Sequence, residues 1–286
     1  MIYETAKNYK PDLILLGHSY DIENETLERI KDYSKNTVIS QWFEDHLADT
    51  GPDFSLNRKK LLKYDNFIKS NFITTHPSTL DFLNKKDNFH YLPIPVDKNI
   101  EKLKIYENKN QICDVFFSMS HGVNRGKLKR DKVDERHNFI TDLITECPNI
   151  IFDIYGYKNR EPVWAEDFYK VIVNSKMALN LTRGKPLKYL TSNRIASLIG
   201  NGLLTFIDKK TKLNNFFSNN EVVFYSGLKD LADKINYYKS NESSRIKIAK
   251  NGRRKYFDLF ECQKVANYII SKSFDRDIPK VLKWMD

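Results

Sequence analysis

Short apolar runs alternate with amphipathic stretches along the chain. The runs at residues 12–17, 37–42, part of 67–75, 89–93, 114–118, 150–156, 177–182, 203–208 and 222–225 are rich in Val, Ile, Leu and Phe. They lack clean period-two alternation, as parallel strands covered on both faces do. Between them, apolar residues recur at helical steps: Leu27, Ile30 and Tyr33; Phe139, Leu143 and Ile144 behind Arg136; Leu231, Ile235 and Tyr238. Ser243 and Ser244 open a run to Phe257, and Val265, Ile269 and Ile270 mark a last helix. Alternation of this kind predicts an α/β protein with parallel sheets.

The best boundary lies between Val96 and Gln111. Pro93-Ile94-Pro95 closes a strand, a polar and charged run follows, and a new apolar strand begins near Cys113. This predicts two Rossmann-like lobes, residues 1–105 and 106–286, with the last helix a candidate to cross back to the first. The first lobe has four clear strands, fewer than the roughly six of a complete nucleotide-binding lobe. The chain also opens on a helix-like segment. The N-terminal lobe is therefore expected to be shortened, as a natural short form or by truncation.

Charge adds a partner class. Lys and Arg number 47 against 37 Asp and Glu, a net +10, which suits an anionic ligand, membrane or nucleic acid. The cysteines are Cys113, Cys147 and Cys262, with no paired spacing, which argues against a disulfide scaffold or a zinc site. No apolar run approaches ~18 residues, and the start has no signal-peptide core. A cytoplasmic protein is expected, with its basic surface available to the inner face of a membrane.

Two constellations in the second lobe combine strand ends with cations. After the Cys113 strand, Gly122 and Gly126 would let backbone N–H groups approach a ligand. Lys127, Lys129, Arg130 and Arg136 lie near a helix start, a natural place for a diphosphate. A solvated basic loop would have the same composition, and the segment is neither a Walker A loop nor GxGxxG. After Thr182 come Arg183, Gly184 and Lys185; Ser192-Asn193 then caps a helix carrying Arg194, closed by Gly200 and Gly202. Ordinary capping explains Gly202, but not the crowding of small polar and basic residues at one strand end, where parallel sheets bind ligands. In the first lobe, Trp42, Glu44, Asp45 and His46 follow a strand, and His18 follows another. Such a group could include a general base, although a capping Asp and a core Trp would look alike. No Gly-x-Ser-x-Gly elbow, HExxH, helix-turn-helix or RNP-like motif is present, so no nucleic-acid partner is expected.

Taken in order, these features resemble the CgeB-like family of bacterial glycosyltransferases. Lys10-Pro-Asp-Leu-Ile-Leu-Leu is similar to the family's KPDLIL strand, and the segment from Trp42 to Asp45 to its strand followed by an aromatic and an Asp. Leu92-Pro93 with Val96-Asp97 resembles the lobe junction. Asp114-Val-Phe-Phe-Ser with Arg136, Phe152-Asp-Ile-Tyr-Gly, Ser175-Lys-Met-Ala-Leu-Asn and Asn193-Arg194 to Gly202 resemble successive elements of the second lobe. Glu221 to Tyr225, Leu231 to Tyr237 and Ile248-Ala-Lys-Asn-Gly resemble the tail.

The resemblance implies a GT-B-like fold and a hexosyltransferase-type enzyme. Such an enzyme uses a nucleotide-diphosphate sugar as donor substrate, with no cofactor or metal, and a glycan or lipid-linked surface glycan as acceptor. The second lobe would hold the donor and the first the acceptor, with chemistry in the cleft between them. Diphosphate contacts would come from Lys127, Arg130 and Arg136, and from Arg183, Lys185, Asn193 and Arg194; Gly122 and Ser192 would also bind the donor, and Tyr155 and Gly156 would border the base. Asp45 or His18 would be the base of an inverting reaction. The chain departs from the pattern in two ways: Ala196 and Ser197 stand where many relatives carry a ribose-binding Glu, and Ser118 replaces a Gly. A degenerate, non-catalytic binding module is the alternative, with basic nucleic-acid binding a third reading.

Overall fold

The computed structural model describes residues 1–49, 51, 53–83, 87–119 and 134–278. In chain order the elements are α1 (Ile2–Tyr9), β1 (Leu13–Gly17), α2 (Asn24–Tyr33), β2 (Val38–Phe43), α3 (Phe54–Leu62), β3 (Asn71–Ile73), β4 (Phe89–Tyr91), β5 (Cys113–Ser118), α4 (Glu135–Glu146), β6 (Phe152–Tyr155), α5 (Ala165–Ile172), β7 (Ser175–Asn180), α6 (Arg194–Gly200), β8 (Leu204–Asp208), β9 (Val223–Tyr225), α7 (Leu228–Ser240), α8 (Glu242–Phe260) and α9 (Cys262–Ser273). The chain divides into one unit of Met1–Pro93 with Cys262–Asp286 and a second of Ile94–Glu261.

The first unit holds a parallel sheet in the order β1-β2-β3-β4. Leu27 and Ile30 of α2 pack with Leu16, Ile39 and Tyr64. Helix α9 joins this unit through Val265 and Tyr268, which pack on Phe72 and Leu92. Two polar contacts fix it: the Ser273 and Ser40 hydroxyls lie 2.8 Å apart, and the Ser70 hydroxyl donates to the Lys272 carbonyl at 3.1 Å.

The second unit holds a parallel sheet in the order β6-β5-β7-β8-β9. Successive residues of a strand face opposite sides, and here both sides are buried. Val115, Phe117, Met177 and Leu179 pack with Ile140 and Leu143 of α4 and Leu231 and Ile235 of α7. Phe116 and Ala178 pack with Ile172 of α5 and Leu198 of α6 on the other face. This explains the unbroken apolar runs. Residues between the two sheets pack onto the second unit: the Tyr256 hydroxyl donates to the Ile94 carbonyl at 2.8 Å, and Ile105 N–H donates to the Asn201 carbonyl at 2.7 Å.

Strand order has a consequence for binding. From β5 the chain passes to β6 on one side and then to β7 on the other. Such a reversal opens a crevice beyond the carboxyl ends of the two central strands, here β5 and β7. At the opposite end of β5, buried Asp114 accepts from Ile151 N–H and from the ammoniums of Lys176 and Lys239, both at 2.8 Å. Burial alone would raise the Asp114 carboxyl, but these donors outweigh it and hold it below the usual carboxylate range.

Candidate functional site

Strand β7 ends in Asn180, at the reversal point. Its side chain is buried, and neither its amide oxygen nor its nitrogen has a hydrogen-bond partner among the described residues. An unsatisfied buried polar group costs about 1–3 kcal/mol, so this amide calls for a partner outside the chain. Asn180 lines a cavity of ≈160 Å³ with Arg136, Thr182, Asp208, Thr211 and Tyr225, drawn from the carboxyl ends of β7, β8 and β9 and from the start of α4.

Arg136 sits in the first turn of α4 because Asp134 caps that helix. The Asp134 carboxylate accepts from Arg136 N–H at 3.0 Å and grips its guanidinium through Nε at 3.0 Å and Nη2 at 2.6 Å. Arg194, in the first turn of α6, donates through Nη1 to the Leu181 carbonyl at 3.1 Å and to the Ser192 hydroxyl at 3.3 Å. Its guanidinium carbon lies 4.9 Å from the centre of the Phe117 ring. Burial pushes the Arg194 guanidinium down to about 9; the Arg136 charge adds to this and Asp134 opposes it. The Asp134 charge thus bears on both guanidiniums in a partly dry setting, and the pair of cations would attract an anionic ligand.

The other residues singled out from sequence divide between the two units. Gly122, Lys127 and Arg130 lie outside the described residues. Arg183 is half-buried and Lys185 exposed on the loop after β7, flanked by Thr182 and Pro186, which line the cavity. Ser192 is taken up by Arg194, and exposed Asn193 makes no side-chain cap bond to α6. Tyr155 ends β6, two strands from Asn180, with Arg160 stacked 3.7 Å from its ring centre. Gly156 has φ +70°, and a Cβ there would lie 1.8 Å from the Met119 carbonyl oxygen, so the backbone itself requires glycine. Asn180 is the residue that sequence reasoning passed over. Its signal was a lone amide inside an apolar strand run.

In the first unit, His18 and Asp45 do come to one sheet edge, beyond β1 and β2. The His18 ring lies between Glu44 and Tyr20, 3.1 Å from Glu44 Oε1 and 3.0 Å from the Tyr20 hydroxyl. Burial, then Asp45 and Glu44, push the Tyr20 hydroxyl up to about 12. Because the folded value lies above the unfolded value of about 10, the unfolded chain ionises first as pH rises. Stability from Tyr20 is therefore complete below about pH 10 and is lost as pH climbs through about 12. Denaturation midpoints should hold steady to about pH 10 and fall beyond it, with a shallower fall in Tyr20→Phe; an equal fall in both proteins would refute this assignment.

A larger hollow of ≈650 Å³, along Lys212, Phe216, Ser218, Glu221 and Lys255, contains no residue from the ends of β5 or β7. Among the described residues, no group of three or more His, Cys, Asp or Glu is placed to hold a metal ion, and no helix is long and apolar enough to cross a membrane.

Residues 133–271 match the family model described as glycosyl transferase-like. None of the curated proteins matches the chain. Among solved structures, HepE of Anabaena in complex with UDP is 13% identical, with TM-score 0.64 over 96% of this chain and 81% of its own. A TarM mutant from S. aureus in complex with fondaparinux, alpha-GlcNAc-glycerol and UDP is 13% identical, with TM-score 0.59 over 95% of this chain and 58% of its own. An alpha-glucosyltransferase in complex with UDP-glucose and DNA is 10% identical, with TM-score 0.62 over 95% of this chain and 83% of its own. The fold is the GT-B-like one of these glycosyltransferases: two Rossmann-like regions, each with a parallel sheet.

Proposed function

We propose that the chain is a hexosyltransferase of the CgeB-like kind. In this reading it moves a sugar from a nucleotide-diphosphate sugar to a surface-glycan acceptor, without a metal. The carrying observation is the orphaned Asn180 amide beside the Arg136–Asp134–Arg194 cluster, at the reversal point of a parallel sheet. The matched family model and neighbours captured with UDP or UDP-glucose support the same reading.

The donor diphosphate would lie against Arg136 and Arg194. Negative charge grows on it as the sugar departs, and fixed cations in a partly dry site stabilise that charge more than water does. The sequence adds Gly122, Lys127, Arg130, Arg183, Lys185, Ser192 and Asn193 as further proposed contacts, with Tyr155 and Gly156 towards the base. Asn180 would meet a donor group and an acceptor group of the ligand at once. Asp45 or His18 of the first unit would be the base of an inverting reaction; a retaining reaction would need neither in that role. The net +10 would favour approach to an anionic membrane face carrying the acceptor.

Calorimetric titration with UDP-, GDP-, ADP- and CMP-sugars tests the reading, with UDP-glucose first. Saturable binding of at least one donor, reduced in Asn180→Ala, is the expected result. Absence of binding across the panel by the folded full chain would overturn it.

A further inference from the structure

Asp208 and Tyr225 end neighbouring strands and stand side by side. In the parallel register of β8 and β9, Asp208 pairs with Tyr225. Both side chains therefore rise from the same face of the sheet, from backbones about 4.8 Å apart. That face is the one α4 covers: the Phe139 ring centre lies 6.5 Å from that of Tyr225. With Arg136 and Phe139, the pair lines the ≈160 Å³ cavity, and all four residues belong to the second unit.

Asp208 is held firmly in place. Its Oδ1 accepts from Lys210 N–H at 2.8 Å, and the Thr211 hydroxyl donates to its carbonyl at 2.7 Å. A carboxylate with one such bond keeps lone pairs for other donors. Tyr225 is 3% exposed, and no hydrogen bond among the described residues takes up its hydroxyl. Burial, and then the Asp208 charge, push that hydroxyl above the usual phenol range, so it stays a donor. Arg136 engages Asp134 through Nε and Nη2, leaving Nη1 outside that grip.

The charges of the cavity argue against an anion inside it. Asp208 and Glu135 both line it, and the Arg136 guanidinium is already paired with Asp134. Ionised phosphate and carboxylate groups only accept hydrogen bonds, so they have nothing to give Asp208. A hydroxyl both donates and accepts. Two adjacent hydroxyls on one ring match a fixed acceptor beside a fixed donor. Phe139 and Pro186 add apolar surface for the C–H face of such a ring. Whole small-ligand sites run to about 300–1,000 Å³, so ≈160 Å³ suits one ring and not an entire nucleotide sugar.

We propose, on the reading that the chain transfers a glycosyl group, that this cavity clamps the vicinal diol of an uncharged sugar ring, with Asp208 accepting from one hydroxyl and Tyr225 donating to the next. Two rings of a nucleotide sugar carry such a diol, the ribose and the transferred sugar. Arg136 lines the cavity and its charge reaches Arg194, so it marks the side on which the diphosphate continues. A sugar carrying a carboxylate would meet Asp208 and Glu135 and be disfavoured.

Calorimetry on the full chain decides the proposal, using UDP, 2′-deoxy-UDP, UDP-glucose and UDP-glucuronate, or the matching guanosine compounds where only GDP binds. Tyr225→Phe should melt as the wild type does, because its hydroxyl holds nothing in the free protein; a lower Tm would give that hydroxyl a role in the fold and overturn the clamp. Tyr225→Phe should weaken binding by about 3- to 10-fold, and Asp208→Asn by about 10-fold or more, since a charge-assisted bond is the stronger. The loss should follow the diol. Loss with UDP that disappears with 2′-deoxy-UDP would assign the diol to the ribose. Loss confined to UDP-glucose would assign it to the transferred sugar, and Asp208→Asn should then narrow the preference for UDP-glucose over UDP-glucuronate. Equal losses with every ligand, or none with any, would overturn the clamp and leave glycosyl transfer standing. A folded wild type that binds no nucleotide or nucleotide sugar would count against glycosyl transfer itself.

Discussion

Arg194→Ala should weaken UDP binding by about 10- to 100-fold while leaving a folded protein, as seen by calorimetry and thermal melting. The magnitude follows from the loss of one charged hydrogen-bonding partner, worth about 1.5–3 kcal/mol in a partly buried site. Arg194 bonds to the Leu181 carbonyl, just after β7, and to the Ser192 hydroxyl, just before α6, so truncation removes local bonds that water can replace. It also removes the charge that opposes Arg136, leaving Arg136 paired with Asp134 alone. Binding should therefore become less sensitive to salt, since fewer cations meet the anion. Arg194→Lys separates charge from shape: ammonium keeps the charge but lacks the planar fork, and should recover only part of the affinity. Affinity unchanged in Arg194→Ala would remove this residue from the site.

Gly156→Ala should destabilise the second unit by about 2–4 kcal/mol. About 1 kcal/mol comes from placing a Cβ residue in the left-handed region, and the rest from overpacking, typically ~1–3 kcal/mol. The overlap is with backbone, since the new Cβ would lie 1.8 Å from the Met119 carbonyl oxygen. No rotamer change can relieve it. The turn after β6 or the end of β5 must move, and Met119 N–H, bonded to the Tyr155 carbonyl at 3.1 Å, would be strained with them. For a domain of this size, ~1 kcal/mol shifts Tm by about 2–4 °C, so a fall of about 4–16 °C is expected. Because the shift falls at the end of a central strand, UDP affinity should drop as well. A Tm within one degree of wild type would show that the chain accommodates the side chain after all.

Gly156 also shows where reading a sequence stops. The family resemblance implied a ligand contact for Gly156; the backbone of Met119 gives it a separate reason to be glycine. Arg136 and Arg194 were both legible as cations near strand ends. Their common carboxylate, Asp134, was not, because nothing in the intervening sequence says that the starts of α4 and α6 converge. Asn180 was overlooked for a related reason: a lone amide inside an apolar run carries no sign of a ligand unless its burial and lack of partners are known. Glu44 was legible only as one of two carboxylates after a strand; that it lies against the His18 ring is decided by the fold. Helices α3 and α5 carried little signal, since α3 buries only Asn57 and Leu61 and α5 only Ile172. One or two buried positions do not establish a period.

Local patterning determined that this chain would alternate strands and helices, that its strands would run parallel with both faces covered, and that basic residues would gather after strands in its second half. Burial writes that much into the spacing of apolar side chains, because each residue's face must be satisfied where it stands. Only the tertiary structure decided that β5 and β7 are neighbours, with β6 outside them. That order depends on which side of the sheet each crossover packs, a choice made by contacts far apart in sequence. It is this order that opens the crevice and brings Arg136, Asn180 and Arg194 to one end of the sheet.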